Sequence, residues 1–282
     1  MAKRKKHKKK KKVIAGDHND PFGMPVLVEK HLEWMAVKNY SERTIHKRRM
    51  YLELFLSWAH ERGLYRPTEI IKPILERYQR WLYRYRKSDG SPLSFRTQHT
   101  HLVSLRVYFK WLSKENHILY NPASELELPK LGQSLPKDVL TITEAEQILN
   151  QPNIATTLGL RDRAILETLY STGMRRMELI GLTLYNLDAE RGTVMIREGK
   201  GQRDRMIPIG KRALQWIEKY LQEGRPRLVY EPDKGVLFLT NDGQQFADGG
   251  LARLVKNHIL NSGIKKTWGL PFIPAHDGYA DA

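Results

Sequence analysis

Apolar residues recur at helical spacing along most of this chain. Residues 25–39 place Val26, Leu27, Val28, Leu32, Trp34, Met35 and Val37 on one wide stripe, which predicts an amphipathic helix. Ser41 is a good N-cap for a second helix over 42–61, with Ile45, Met50, Leu52, Phe55, Leu56 and Ala59 inward and Gly63 as its stop. A third helix fits 68–87, with Pro73 breaking or bending it early. Ser94 caps a fourth that runs to Lys114 on Leu102, Leu105, Val107, Phe109 and Leu112. Four helices this close together predict a compact all-α domain over 25–117.

The pattern then lapses. Pro122, Pro129 and Pro136 punctuate a stretch with little periodicity, and 118–140 reads as an interdomain linker. Periodicity returns over 141–282. Thr143-Glu144-Ala145-Glu146 opens a helix in capping-box style, and a longer helix covers 158–170. A short helical pattern follows Arg175, with Met177, Ile180, Leu182 and Leu184 as its apolar positions. Residues 193–197 and 205–209 are β-rich, and 198–202 form the glycine-flanked turn of a hairpin between them. Helices at 211–222 and 250–262 flank a short strand at 236–239.

Composition changes the picture in one respect. The 282 residues suit two domains, and the formal net charge is +17. Nine lysines and arginines lie within residues 1–12, so the remainder still carries +8, which favours a polyanionic partner, most simply nucleic acid. Residues 1–24 form a disordered basic tail and linker. In it Lys3, Lys5 and Lys6 are either a phosphate-binding arm or part of a solubilising tail. There is no cysteine, hence no disulfide framework or thiolate chemistry. No apolar run is long enough to span a bilayer, and no apolar stretch follows the basic start as a secretory signal would require. These features predict a soluble cytoplasmic protein without a membrane partner.

Two pieces between Tyr170 and Gly210 carry candidate chemistry. Arg175 and Arg176 open a helix just after Thr172-Gly173, and Lys200 sits at the hairpin tip. An arginine fork and a lysine point charge can together grip a phosphate, although taken singly an arginine pair is usually a solvated face and a Lys-Gly turn only a turn. In the first domain Arg43, Lys47 and Arg96 read as phosphate contacts beside aromatics, whereas Trp34, Trp58, Trp81 and Trp111 read as core.

Thr172 to Leu182 contains T-G-x-R-x-x-E-L-x-x-L. Gly199 to Ile209 contains G-K-G followed by Gln202-Arg203-Asp204-Arg205 and then Pro208-Ile209. In this order and spacing the two motifs resemble the Xer-like tyrosine site-specific recombinases, the phage and transposon integrases. The resemblance runs from about residue 25 to 267. It implies a mostly α fold, with a four-helix SAM-like core-binding domain followed by a mixed α/β, mainly α, catalytic domain with a small antiparallel hairpin sheet. It also implies a linker that lets two domains close around duplex DNA, homologous protomers as further partners, and roles in DNA integration and recombination in a mobile element. By motif, Arg175 and Lys200 would be catalytic. The openings of the second and fourth helices would face DNA. In such enzymes a tyrosine attacks a phosphodiester to give a 3′-phosphotyrosyl link and a free 5′-hydroxyl. Arginines stabilise charge on the phosphoryl oxygens and the lysine protonates the leaving oxygen, with no metal or cofactor.

The resemblance also implies residues that this sequence lacks. No His-x-x-Arg follows Lys200: His258 and His276 have no arginine at that spacing. Tyr279 lacks the preceding helices the family places before its nucleophile, and Tyr185, Tyr220 and Tyr230 sit in the wrong context. Reading the degenerate codons of residues 271–282 one base later permits H-L-F-R-H-T-M-A-T-L-M, which is similar to the family's missing segment. The expectation is therefore a catalytic domain incomplete at its C-terminal end. Residues 268–282 would be out of frame, through a frameshift near Trp268 or a programmed one. Such a chain would not complete strand exchange alone. The alternatives are a catalytically dead DNA-binding remnant that competes with full-length recombinase, or an unstable pseudogene product.

Overall fold

A computed structural model describes residues 17–132, 140–197 and 204–265. It forms two compact units that divide between residues 133 and 134.

Unit 1 is built on helices α1 (Met24–Val37), α2 (Glu42–His60), α3 (Lys72–Arg84) and α4 (Phe95–Lys114). Helix α1 buries Met24, Leu27, Val28, His31, Leu32 and Met35, the three-and-four spacing that puts one stripe inward. Val37 and Met50, expected in the core, are 78% and 52% exposed. Each lies two residues from a buried position (Met35 and Leu52), about 200° round the helix from it. Ser41 and Ser94 cap α2 and α4 as expected, each accepting the amide three residues on, at 3.3 and 3.2 Å. Pro73 does not bend the third helix. It sits in the first turn of α3, where a missing N–H costs nothing, and Pro67–Glu69 forms a separate 3-10 turn before it.

The interior of unit 1 is aromatic. Phe55, Trp58, Tyr78, Tyr108 and Phe109 are almost fully buried, and the Phe55 and Tyr78 rings meet edge-on with centroids 5.0 Å apart. Trp58 and Trp111 are core, while Trp34 and Trp81 are half-buried against it. The expected linker is not all linker. Ile118, Ala123 and Leu126 are buried in the unit 1 core, and the Arg106 guanidinium donates to the carbonyls of Ala123 and Ser124, both at 3.3 Å. Prolines suppress helical periodicity without preventing a chain from packing.

Unit 2 contains α5 (Ile142–Leu149), α6 (Thr157–Thr172), α7 (Arg176–Ile180), α8 (Lys211–Lys219) and α9 (Asp248–Asn261). It also holds an antiparallel sheet in the order β1 (Leu187–Asp188), β2 (Thr193–Ile196), β3 (Arg205–Pro208). The β2–β3 hairpin is the expected one, with Val194 opposite Ile207 and Ile196 opposite Arg205. The cap of α5 is Thr141, two residues before the expected start. Its amide donates to Glu144 Oε2 (2.7 Å) and its Oγ1 accepts from the Glu144 amide (3.2 Å), a full capping box.

Residues 236–239 form isolated bridges, Thr183 with Val236 and Leu239 with Gln245, rather than a strand. Leu237, Phe238 and Leu239 are all buried, so no face alternates. The Leu237 amide goes to the Leu182 carbonyl (2.9 Å) and the Leu239 amide to Tyr220 Oη (3.2 Å). The core of this unit gathers around α6, from Leu160, Ile165 and Leu169 to Ile217, Tyr220 and Val255.

Candidate active site and nucleic-acid interface

The first motif builds a corner. Helix α6 ends at Thr172, and Gly173 takes the left-handed conformation (φ 58°) that closes it, donating its amide to the Leu169 carbonyl at 3.0 Å. A side chain at this position would strain the backbone, which is why the motif needs glycine here. Met174 is buried and anchors the turn. Arg175 is then the N-cap of α7. Its backbone amide donates to Glu178 Oε2 (2.8 Å) and its Nη1 to Glu178 Oε1 (3.0 Å). The Arg175 side chain remains 53% exposed, while Glu178 beneath it is 6% exposed.

The second motif meets the first at Glu178. From β3, Arg205 donates Nη1 to Oε1 (2.9 Å) and Nη2 to Oε2 (2.6 Å) of the same carboxylate. Burial opposes ionisation of Glu178, but hydrogen bonds from Arg205 and from the Arg175 amide and side chain outweigh it and hold the carboxyl below its ordinary value. The neighbouring cation is spent elsewhere: Arg176 pairs with Asp248 at the start of α9. Gly210 donates its amide to Ser171 Oγ (2.7 Å), which ties the exit of β3 to the end of α6. Lys200 lies outside the described residues, as do Lys3, Lys5, Lys6, His276 and Tyr279, and with them the expected frame change over 268–282. The β2–β3 pairing is described as far as Ile196 and Arg205, and Arg205 is the residue of it that reaches Glu178.

Among the dismissed groups, His258 is committed to structure, its Nε2 3.0 Å from Asp162 Oδ2 on α6. Tyr220 is buried, whereas Tyr185 and Tyr230 are exposed. Among the described residues no cluster of three His, Cys, Asp or Glu is arranged to hold a metal ion, and no helix is long and apolar enough to cross a membrane.

In unit 1, Arg43 and Lys47 are exposed at the start of α2, and Arg96 is exposed at the start of α4. Tyr51 on α2 packs on His101 of α4 (4.4 Å between centroids) and Phe55 on Phe109 (6.1 Å), so the two helices meet along their lengths. Arg49, on the expected basic face, is instead held bidentately by Glu29, with Nη2 2.6 Å from Oε2. Sequence reading missed the Glu178 clamp and the Arg49–Glu29 pair. The spacing of Glu178 three residues after an N-cap was the available signal for the first.

The family model described as the phage integrase family matches residues 138–273. Tyrosine recombinase XerC 2 of Ralstonia nicotianae is 47% identical over 250 residues, covering 88% of this chain and 72% of the relative. The chain belongs to the tyrosine recombinases. Tyrosine recombinase XerD of Yersinia pestis is 33% identical over 256 residues, 89% of this chain and 81% of that protein. Membership in the tyrosine recombinases assigns the chain to site-specific DNA recombination. Two solved structures share the fold. The XerH recombinase bound to a palindromic difH substrate in a post-cleavage complex has a TM-score of 0.63 at 20% identity, over 86% of this chain and 68% of that one. A lambda integrase dimer bound to a COC′ core site has a TM-score of 0.62 at 15% identity, over 86% and 83%. The mostly helical architecture with one small antiparallel sheet is thus the tyrosine recombinase fold.

Proposed function

We propose that this chain binds the duplex DNA of a recombination site in the cytoplasm, beside homologous protomers, and holds one phosphodiester on Arg175 and Lys200. The observation that carries the reading is the exposed Arg175 guanidinium, fixed at a helix N-cap over a buried carboxylate, next to the strand ends from which the Lys200 segment departs. The arginine fork takes non-bridging oxygens, where negative charge builds as phosphorus becomes five-coordinate, and the lysine supplies the proton to the departing 5′-oxygen. Arg43, Lys47 and Arg96, together with Lys3, Lys5 and Lys6, contact phosphates and add sequence-independent, salt-sensitive affinity.

After Lys200 the sequence carries no His-x-x-Arg, and no tyrosine in it is assigned as the nucleophile. The test is incubation of the purified chain with its element's end DNA carrying a nicked suicide site. A native-gel shift that weakens with salt is the expected result, and DNA left unshifted at low salt would overturn the reading. A covalent adduct on a denaturing gel would extend it to strand cleavage, and mapping the linked peptide would identify the nucleophile.

A further inference from the structure

We propose that Arg205 is a positioning residue whose task is to neutralise Glu178, so that Arg175 keeps its positive charge available for a phosphate. This rests on the reading of Arg175 as the phosphate ligand. The argument begins with charge. Arg175 donates both its backbone amide and its guanidinium to Glu178, a carboxylate almost fully withdrawn from water. That contact orients Arg175, but a carboxylate next to a phosphate-binding arginine also cancels its charge and repels the phosphate. Arg205 resolves the conflict. Its two parallel hydrogen bonds, at 2.9 and 2.6 Å, face both carboxylate oxygens, the strong bidentate geometry for this pair. Two guanidiniums and one carboxylate leave the cluster at +1; Arg175 and Glu178 alone would sum to zero. The adjoining Arg176–Asp248 pair is already neutral and contributes nothing to the balance.

The register explains why this residue can do it. Arg205 is the first residue of β3, opposite Ile196, and Ile196 and Val194 are buried in the unit 2 core. The strand is therefore anchored, and its first side chain is delivered to Glu178 across 27 residues of sequence. Both Nη groups of Arg205 are directed at the Glu178 carboxylate. It acts through Glu178.

The experiment uses the full chain labelled with ¹⁵N-arginine and follows the Arg175 Nε–H signal on titration with inorganic phosphate. Arg205→Ala is expected to weaken phosphate binding at Arg175 about tenfold, because Glu178 is left with Arg175 as its sole counter-charge among the described residues. Adding Glu178→Gln to Arg205→Ala should restore binding to within about threefold of the parent, since the uncompensated charge is gone. Arg205→Lys should also keep it within about threefold, since the charge remains although the fork does not. The suppressor separates this role from a structural one, for losing both partners of a purely structural bridge cannot improve on losing one. Unchanged binding in Arg205→Ala, a double variant as weak as the single, or Arg205→Lys as weak as Arg205→Ala would each overturn the proposal. If phosphate fails to move the Arg175 signal in the parent chain, the reading of Arg175 fails instead, which is a separate result.

Discussion

The two units bury polar atoms in opposite ways. In unit 1 the buried side-chain heteroatoms without a hydrogen-bond partner among the described residues belong mostly to rings: both nitrogens of His31, Nε2 of His60, Nδ1 of His101, the hydroxyls of Tyr78 and Tyr108, and the indole N–H groups of Trp58 and Trp111, with Nη1 of Arg48 the exception. In unit 2 the buried polar groups are mostly charged and are paired. Glu167 on α6 accepts from Arg163 (3.0 and 2.7 Å) and from Arg212 (2.9 Å). Arg163 also donates to the Leu149 carbonyl (2.7 Å), and Arg212 to Glu146 (2.7 Å). Arg225 similarly grips Asp233 at 2.9 and 2.8 Å. An aromatic core tolerates a weakly polar edge because the ring buries a large apolar area along with it. A buried guanidinium is costlier to leave unmatched, so unit 2, with Arg163, Arg212 and Arg225 paired, depends on specific charges where unit 1 depends more on packing and on keeping its imidazoles neutral.

The sharpest way to break this contrast is to remove Glu167. Glu167→Ala leaves Arg163 buried without its counter-charge and should cost unit 2 about 3–5 kcal/mol, read as a lower urea midpoint by a probe in that unit. A cost under about 1 kcal/mol would mean that the network is not holding α6 and α8 together. Unit 1 should respond to pH instead. Burial, with the Arg48 charge nearby, lowers His31 to about 4, and burial lowers His101 to about 4. Both are bases depressed in the folded state, so the unfolded chain binds the extra protons. Stability is then complete above about pH 6.5, falls as pH drops from there to about 4, and levels off below. Each imidazole accounts for up to about 3 kcal/mol, and His31→Phe should flatten the curve by one share. A melting midpoint of unit 1 that is flat over this window would refute the assignment. The smallest effect expected is at the caps. Ser41→Ala and Ser94→Ala should each cost about 1 kcal/mol, seen as a small drop in the melting midpoint of unit 1 and none in unit 2.

Much of this fold was legible because it is local. Helix stripes, serine caps and the hairpin arise between residues a few positions apart, and Ser41, Ser94 and the strands on either side of Lys200 stand where the pattern put them. The misses share a cause as well. Val37 and Met50 are apolar but on the wrong side of their helices, and composition does not reveal which side faces a neighbour until the neighbour is in place. Residues 118–126 looked like linker because prolines erase periodicity, yet Ala123 and Leu126 found a surface to pack on. Residues 236–239 looked like a strand, but their pairing stops at single bridges, from Val236 to Thr183 and from Leu239 to Gln245, and Thr183 is distant in sequence, so only tertiary packing brings it alongside.

By itself, then, the sequence determined the helices, the family motifs, and the identities of Arg175 and Lys200 as the cations to watch. Backbone hydrogen bonding and helical spacing act over a few residues and leave their mark in order and composition. Only the tertiary structure decided which charges remain free to act. Arg49 is consumed by Glu29 and Arg176 by Asp248, while Arg205 reaches Glu178 across the register of a hairpin and leaves Arg175 exposed. Ion pairing depends on distance in space, and distance between residues so far apart in the chain is set by the packing of the core around them.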